Sequence, residues 1–185
     1  MALLLWLAFY AAYLLKMLLL RRQGIAGNLL GKDAREKALV VVTYGGAAAQ
    51  VISILWPRLL WALPTLPIAQ GLGLLLMLGC VAAFVAAILT MRDNWRAGFG
   101  EGQQTRLVTG GVYRLSRNPA FLGFDLLYLG CTLACPTALN LLVTAAALPL
   151  FHLQILAEER FLAQAFGQEY LQYKKHTARY FGWKQ

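Results

Sequence analysis

Histidine, cysteine and acidic residues are scarce in this chain, and their scarcity excludes several kinds of site. The two histidines, His152 and His176, have no cysteine cluster beside them, so no zinc-binding pattern is present. The cysteines, Cys80, Cys131 and Cys135, are odd in number and lie inside or at the ends of apolar segments, which is no disulfide framework. We expect them to be small packing residues and expect no bound metal. No Ser-His-Asp arrangement or phosphate-binding P-loop is visible either.

Apolar residues dominate the rest of the chain. They make up 59% of it, and the mean hydropathy is +0.58, whereas soluble domains are about 45–50% apolar. A helix needs about 20 apolar residues to cross the hydrocarbon core. Five segments are candidates: residues 2–20, 38–56, 68–91, about 120–135 and about 137–157. The sequence therefore predicts an all-α, polytopic integral membrane protein with about five transmembrane helices.

The last two predicted helices have distinct features. The fourth is short, and Pro136 separates it from the fifth, because proline cannot continue a helical hydrogen-bond ladder. This spacing predicts a helical hairpin. Beyond residue 157 the chain keeps apolar side chains at helical spacing to about residue 175, which predicts a C-terminal helix along the membrane surface.

Basic residues are distributed unevenly, and this predicts the orientation in the membrane. Seventeen Lys and Arg against eight Asp and Glu give a net charge of +9. Arg58 lies alone in the second loop, and Lys16 lies within the first helix. The other fifteen lie in the first loop, the loop after the third helix and the C-terminal tail: Arg21, Arg22, Lys32, Arg35, Lys37, Arg92, Arg96, Arg106, Arg114, Arg117, Arg160, Lys174, Lys175, Arg179 and Lys184. Because such loops stay in the cytoplasm, we expect the N-terminus outside and the C-terminus inside.

Two polar segments interrupt the apolar sequence. The first, LVTGGVYRLSRNPAFLG at residues 107–123, combines glycines that expose backbone amides with arginines that bind carboxylates or phosphates. Pro119 suits the first turn of a helix, whose free amides form an anion site. The segment fits a binding loop and equally fits an interfacial loop whose arginines contact lipid headgroups.

The second polar segment, EERFLAQAFGQEYLQY at residues 158–173, follows the fifth helix. His152 and Glu159 are seven residues apart, so they share a helix face. A helix C-terminus favours cations, so the adjacent carboxylates Glu158 and Glu159 are not needed to end it. A solvated amphipathic extension is the alternative interpretation.

One acidic residue, Asp125, lies within the fourth predicted helix, where a charge is costly. Lys16, Arg117 and Tyr128 are its candidate partners. Asp125 is either such a pairing residue or a catalytic one.

These segments resemble the isoprenylcysteine carboxyl methyltransferase family, which is similar to the phospholipid N-methyltransferases. The family pattern is roughly LVTxGxYRxxRHPxYxG, followed about 35–40 residues later by EExxLxxxFGxxYxxYxxxxxR. Residues 107–123, residues 158–173 and Arg179 match it in order and spacing. The sequence WRAG at residues 95–98 also resembles a family segment, SWRxG. The resemblance covers about the C-terminal half of the chain.

The resemblance implies a methyltransferase that uses S-adenosylmethionine, with residues 92–185 as its cofactor-binding core. Length predicts one membrane-embedded domain, and hydropathy predicts three N-terminal helices in residues 1–91. The resemblance also implies that Arg179 lies near the acceptor group. Glu159 and Asp125 are candidate bases if that acceptor is an amine. The implied cofactor-binding residues are Val108, Gly110, Tyr113, Arg117, Asn118, Pro119, His152, Glu158 and Glu159.

The chain departs from the family pattern at two positions, where Asn118 replaces histidine and Phe121 replaces tyrosine. Asparagine keeps a donor and an acceptor, so it can still bind a cofactor, but it cannot take up a proton. We expect a lipophilic small molecule or lipid as substrate, membrane lipids as neighbours, no nucleic-acid partner and location in a bacterial inner membrane. The acceptor atom, whether carboxylate, amine or thiol, stays open. The alternatives are an NADPH-dependent membrane reductase and a non-enzymatic basic lipid-binding membrane protein.

Overall fold

The computed structural model describes residues 1–31, 33–95, 97 and 106–182, and the helices in this part of the chain confirm the all-helical prediction. No β-strand occurs among these residues. Short 3₁₀ turns occupy Pro57–Leu60, Arg92–Asn94 and Gly111–Arg114. The α-helices are α1 (Ala2–Arg22), α2 (Ala34–Leu55), α3 (Pro67–Met91), α4 (Pro119–Ala134) and α5 (Ala138–His176).

The helices begin where the local chemistry favours a start. The Asp33 carboxylate accepts a hydrogen bond from the backbone amide of Glu36 over 2.7 Å and caps α2. The Thr137 hydroxyl accepts one from the amide of Asn140 over 3.1 Å and caps α5. Helices α3 and α4 each begin with a proline, which needs no amide partner in the first turn.

Four helices, α1, α2, α3 and α5, are long and apolar enough to cross a membrane. Helix α4 has 16 residues, a length of about 24 Å at 1.5 Å per residue. It is joined to α5 by a tight turn at Pro136, so the predicted hairpin is present. Helix α5 continues to His176, as predicted, with a change of backbone direction at Gly167, where φ is 51°.

Backbone pairing shows which connections share an end of the bundle. Ala97 donates to the Gly27 carbonyl over 2.8 Å, so the α1–α2 connection meets the segment after α3. At the other end, Leu63 donates to the Pro136 carbonyl over 2.9 Å, so the α2–α3 connection meets the α4–α5 turn. Most of the described basic residues therefore lie at the first end. Lys32, Arg96 and Lys184 lie outside the described residues.

Helices α3 and α4 approach closely because glycines face each other. A Cβ atom on Gly73 would lie 2.5 Å from the backbone nitrogen of Ala134 and 2.7 Å from the carbonyl oxygen of Gly130. Small residues of this kind let membrane helices pack backbone against backbone. The contact sets the position of α4, whose first residues border the cavity described below.

Buried polar side chains add hydrogen bonds between helices. The Ser53 and Thr137 hydroxyls lie 2.8 Å apart and join α2 to the start of α5. The Trp6 indole donates to the Gln50 side-chain oxygen over 3.0 Å and joins α1 to α2. In an apolar surrounding each such pair satisfies groups that water cannot reach.

Candidate functional site

A cavity of about 190 Å³ lies at the end of the bundle where α3 ends and α4 begins. Its wall takes residues from all five helices and from the segment before α4. Most of the wall is apolar and aromatic. The aromatic residues on it include Trp95, Tyr113, Phe121, Phe124, Phe151 and Phe161.

Five of the predicted cofactor-binding residues line this cavity. Val108, Tyr113, Arg117 and Asn118 come from the first polar segment, and Glu158 comes from the second. The two segments are therefore brought to one cavity, although Tyr113 and Glu158 are 45 positions apart in the chain.

Tyr113 is held firmly in the wall. It is buried, and the Tyr173 phenol donates a hydrogen bond to its backbone carbonyl over 2.6 Å. Burial, with smaller contributions from Tyr173 and Glu158, raises the pKa of the Tyr113 phenol above its ordinary value. The phenol therefore stays protonated and can donate a hydrogen bond inside the cavity.

Glu158 and Glu159 have different surroundings. Glu158 lines the cavity and accepts a hydrogen bond from the Gln154 side-chain amide over 3.3 Å. Glu159 is absent from the cavity wall and is only 4% exposed. Its carboxylate accepts hydrogen bonds from Arg117 at 2.7 Å, Asn118 at 3.3 Å and Arg179 at 3.0 Å.

Arg117 joins the first polar segment to the end of α5. Besides binding Glu159, its guanidinium donates to the carbonyl oxygens of Lys174 and Thr177. Carbonyls at a helix C-terminus lack intrahelical donors, so a cation there is stabilising. The backbone amide of Arg117 also donates to the Ala178 carbonyl over 3.0 Å.

Arg179, His152 and Asp125 are absent from the cavity wall. Arg179 binds Glu159, and this hydrogen bond raises the pKa of the Arg179 guanidinium. The Nδ1 atom of His152 lies 2.6 Å from the Tyr180 phenol, with the two rings stacked. Burial raises the pKa of Tyr180, and the nearby Asp125 carboxylate raises it further.

The three residues considered as partners of Asp125 each have another partner in the structure. Lys16 lies 3.9 Å from the Asp93 carboxylate. Arg117 binds Glu159, and the Tyr128 phenol donates to the backbone carbonyl of Val42 over 3.2 Å.

The remaining predicted residues shape the backbone. Gly110 precedes the 3₁₀ turn, and the left-handed conformation falls on Gly111, where φ is 57° and a Cβ would lie 2.9 Å from the Thr90 side chain. Pro119 is the first residue of α4. Trp95 lies on the cavity wall, and its neighbours in the WRAG segment, Arg96 and Gly98, are outside the described residues.

The sequence did not identify the contribution of the first two helices. Tyr13 from α1, and Leu39 and Thr43 from α2, line the cavity. In a membrane helix an apolar side chain that faces a cavity has the same character as one that faces lipid. Hydropathy therefore gives no signal for Leu39. The polar side chains of Tyr13 and Thr43 gave a weak signal.

The arrangement suits an organic ligand that carries both charge and apolar surface. Aromatic faces attract organic cations, the Glu158 carboxylate can accept hydrogen bonds from an ammonium or from hydroxyls, and Arg106 and Arg117 are cations on the wall.

A comparison with known protein families finds a match that includes cavity-lining residues of both polar segments. The model of the phospholipid methyltransferase family matches residues 68–169, which is more than half of the chain and runs from the start of α3 into the second half of α5. The matched range contains Val108, Tyr113, Arg117, Asn118 and Glu158. No curated protein matches the chain.

Proposed function

The chain belongs to the phospholipid methyltransferase family, and we propose that this membrane methyltransferase takes its methyl group from S-adenosylmethionine and transfers it to a lipophilic acceptor. The observation that carries the proposal is the meeting of Tyr113 and Glu158 on one aromatic cavity. The family normally uses this cofactor. Neither the reductase nor the non-enzymatic alternative has a comparable observation in its favour.

The residues of the cavity fit the chemical groups of S-adenosylmethionine. Its sulfonium is a cation that aromatic faces attract, and its ammonium and ribose hydroxyls suit the Glu158 carboxylate. Its carboxylate suits Arg106, because the Arg117 guanidinium already binds Glu159 and two backbone carbonyls. When bound, the cofactor supplies an electrophilic methyl carbon. The chain's own contribution is to hold the two reactants in line and to exclude water, which is worth about 7–11 kcal/mol in favourable cases.

We propose Val108, Tyr113, Arg117, Asn118 and Glu158 as the cofactor-binding residues, because all five line the cavity. Gly110 and Pro119 support them by shaping the turn and the start of α4. Asp125, His152 and Arg179 are not included in this set, because they lie outside the cavity wall. The acceptor could present a carboxylate, an amine or a thiol.

We also propose that residues 1–185 act as one domain, since the cavity takes its wall from α1 and α2 as well as from residues 92–185. The proposed orientation in a bacterial inner membrane is N-terminus outside and C-terminus inside. The basic residues at the cavity end of the bundle support it, and it gives the cavity access to a soluble cofactor.

The experiment is calorimetric titration of the purified chain in detergent with S-adenosylmethionine. We expect saturable binding, weakened about tenfold or more in Glu158→Gln, the scale of a lost hydrogen bond to a charged group. The matched control is Glu169→Gln, since Glu169 is an exposed glutamate on the same helix. Transfer of a labelled methyl group into a lipid extract then tests catalysis. Binding of NADPH in place of S-adenosylmethionine would refute the proposal.

A further inference from the structure

We propose that Glu159 is a positioning residue, which holds the cavity wall and residues 177–182 together without touching the bound cofactor. Of the two adjacent glutamates, only Glu158 would then contact the ligand. The inference rests on the proposed function in one respect, namely that the cavity is the cofactor site.

The surroundings of the two side chains separate them. Consecutive residues of an α-helix point about 100° apart, and of these two glutamates Glu158 is on the cavity wall whereas Glu159 is not. Glu158 lies on the face of α5 that includes the cavity-lining residues Phe151 and Leu162. Glu159 lies on the face that includes His152, and both have partners in the segment 177–182, here named the tail: Arg179 for Glu159 and Tyr180 for His152.

The Glu159 carboxylate joins α5 to two other parts of the chain. Arg117 and Asn118 reach it from the segment before α4, and Arg179 reaches it from the tail. Arg117 and Asn118 also line the cavity. Glu159 therefore fixes two residues of the cavity wall from behind, while its own oxygens are already engaged.

The tail is bound to the same segment by its backbone. Arg117 donates from its amide to the Ala178 carbonyl over 3.0 Å, and Gly182 donates to the Leu115 carbonyl over 2.9 Å. The Asn118 side-chain amide also donates to the Arg179 carbonyl over 3.2 Å. The Glu159 carboxylate supplies the negative charge between the two segments, because Arg117 and Arg179 both bind it.

Removing that charge would leave two guanidinium groups facing each other in a buried place. Arg117 and Glu159 are almost fully buried, and the Arg179 side chain is 32% exposed. An uncompensated buried charge is costly, so the more exposed partner, Arg179, should move away and release the tail. A loosened tail would then let Arg117 and Asn118 shift on the cavity wall.

The test compares Glu159→Gln, Arg179→Gln, their double variant and Glu158→Gln in the full chain. Hydrogen exchange of the backbone amides in residues 177–182 reports whether the tail is bound, and it needs no ligand. Calorimetry with S-adenosylmethionine measures the affinity of the cavity for the cofactor. Glu159→Asp, which keeps the charge, serves as the conservative variant and should recover part of the tail protection.

We expect faster tail exchange in Glu159→Gln and Arg179→Gln, by about tenfold or more, and unchanged exchange in Glu158→Gln. Affinity for S-adenosylmethionine should fall in Glu159→Gln and in Arg179→Gln. The double variant should bind the cofactor no more weakly than either single variant, because both substitutions act through one connection. Slow tail exchange in Glu159→Gln together with weakened binding that adds to that of Arg179→Gln would overturn the proposal. If the unmodified chain fails to bind S-adenosylmethionine, the proposed function is refuted, and tail exchange alone then decides whether Glu159 holds the tail.

Discussion

The phenol of Tyr173, near the end of α5, donates a hydrogen bond to the backbone carbonyl of Tyr113 over 2.6 Å. Both residues line the cavity. The bond therefore fixes the position of one wall residue relative to another across 60 positions of sequence.

Tyr173→Phe removes this bond and keeps the ring. We expect affinity for S-adenosylmethionine to fall about five- to tenfold, corresponding to about 1 kcal/mol for a neutral hydrogen bond, while the chain still folds. Calorimetry measures the affinity. Tyr44→Phe is the control, because Tyr44 lies 61% exposed on the outside of α2. Equal affinities in the two variants would contradict the prediction.

Arg117→Lys tests whether the forked guanidinium is required. A lysine ammonium cannot reach Glu159 and the two carbonyls at the end of α5 at the same time. We expect the free energy of unfolding to fall by about 2–3 kcal/mol, measured by reversible unfolding in mixed micelles. Arg114→Lys changes an exposed arginine in the same segment and should have almost no effect. A stable Arg117→Lys variant would show that charge alone suffices.

Gly73→Ala tests the contact of α3 with α4. The added methyl group would meet backbone atoms of α4, which cannot move aside as a side chain can. We expect a loss of about 1–3 kcal/mol in stability and a lower melting temperature in detergent. Gly71→Ala is the control, since a Cβ on Gly71 meets no heavy atom within 4 Å. Identical melting temperatures for the two variants would mean that the helices are less closely packed than described.

Ser53→Ala removes the buried hydroxyl that pairs with Thr137. We expect a loss of about 1 kcal/mol, the scale measured for hydrogen bonds between membrane helices. Thr137→Ser keeps the hydroxyl for both Ser53 and the amide of Asn140, and should stay close to the unmodified chain. A larger loss in Thr137→Ser than in Ser53→Ala would assign the stability to the Thr137 methyl group instead.

Much of the architecture follows from local features. Apolar segments of membrane length predict most of each helix, and Pro119 predicts the start of α4. The second helix was placed at residues 38–56, whereas α2 begins at Ala34 after the Asp33 cap, because the polar residues of its first turn are not part of the apolar segment. The interruption at Gly167 was not predicted, because a single glycine is also tolerated inside a helix.

The candidate site could be predicted only in part. The family resemblance implied Tyr113 and Glu158, which line the cavity. It could not separate Glu158 from Glu159, because adjacent residues with the same side chain are distinguished only by the direction in which each points. The partners that the sequence suggested for Asp125 were Lys16, Arg117 and Tyr128, whereas the group whose pKa the Asp125 carboxylate raises is the Tyr180 phenol, in residues 177–182 beyond the end of α5.

The amino-acid sequence by itself determined that this chain is a helical membrane protein with two polar segments, because hydropathy and helix-start chemistry act over a few turns of helix. Only the tertiary structure decided which polar residues share a cavity and which bind one another. The pairs that settle this, Arg117 with Glu159 and Tyr173 with Tyr113, join positions 42 and 60 residues apart. Such contacts depend on how the helices pack, and no local pattern contains that information.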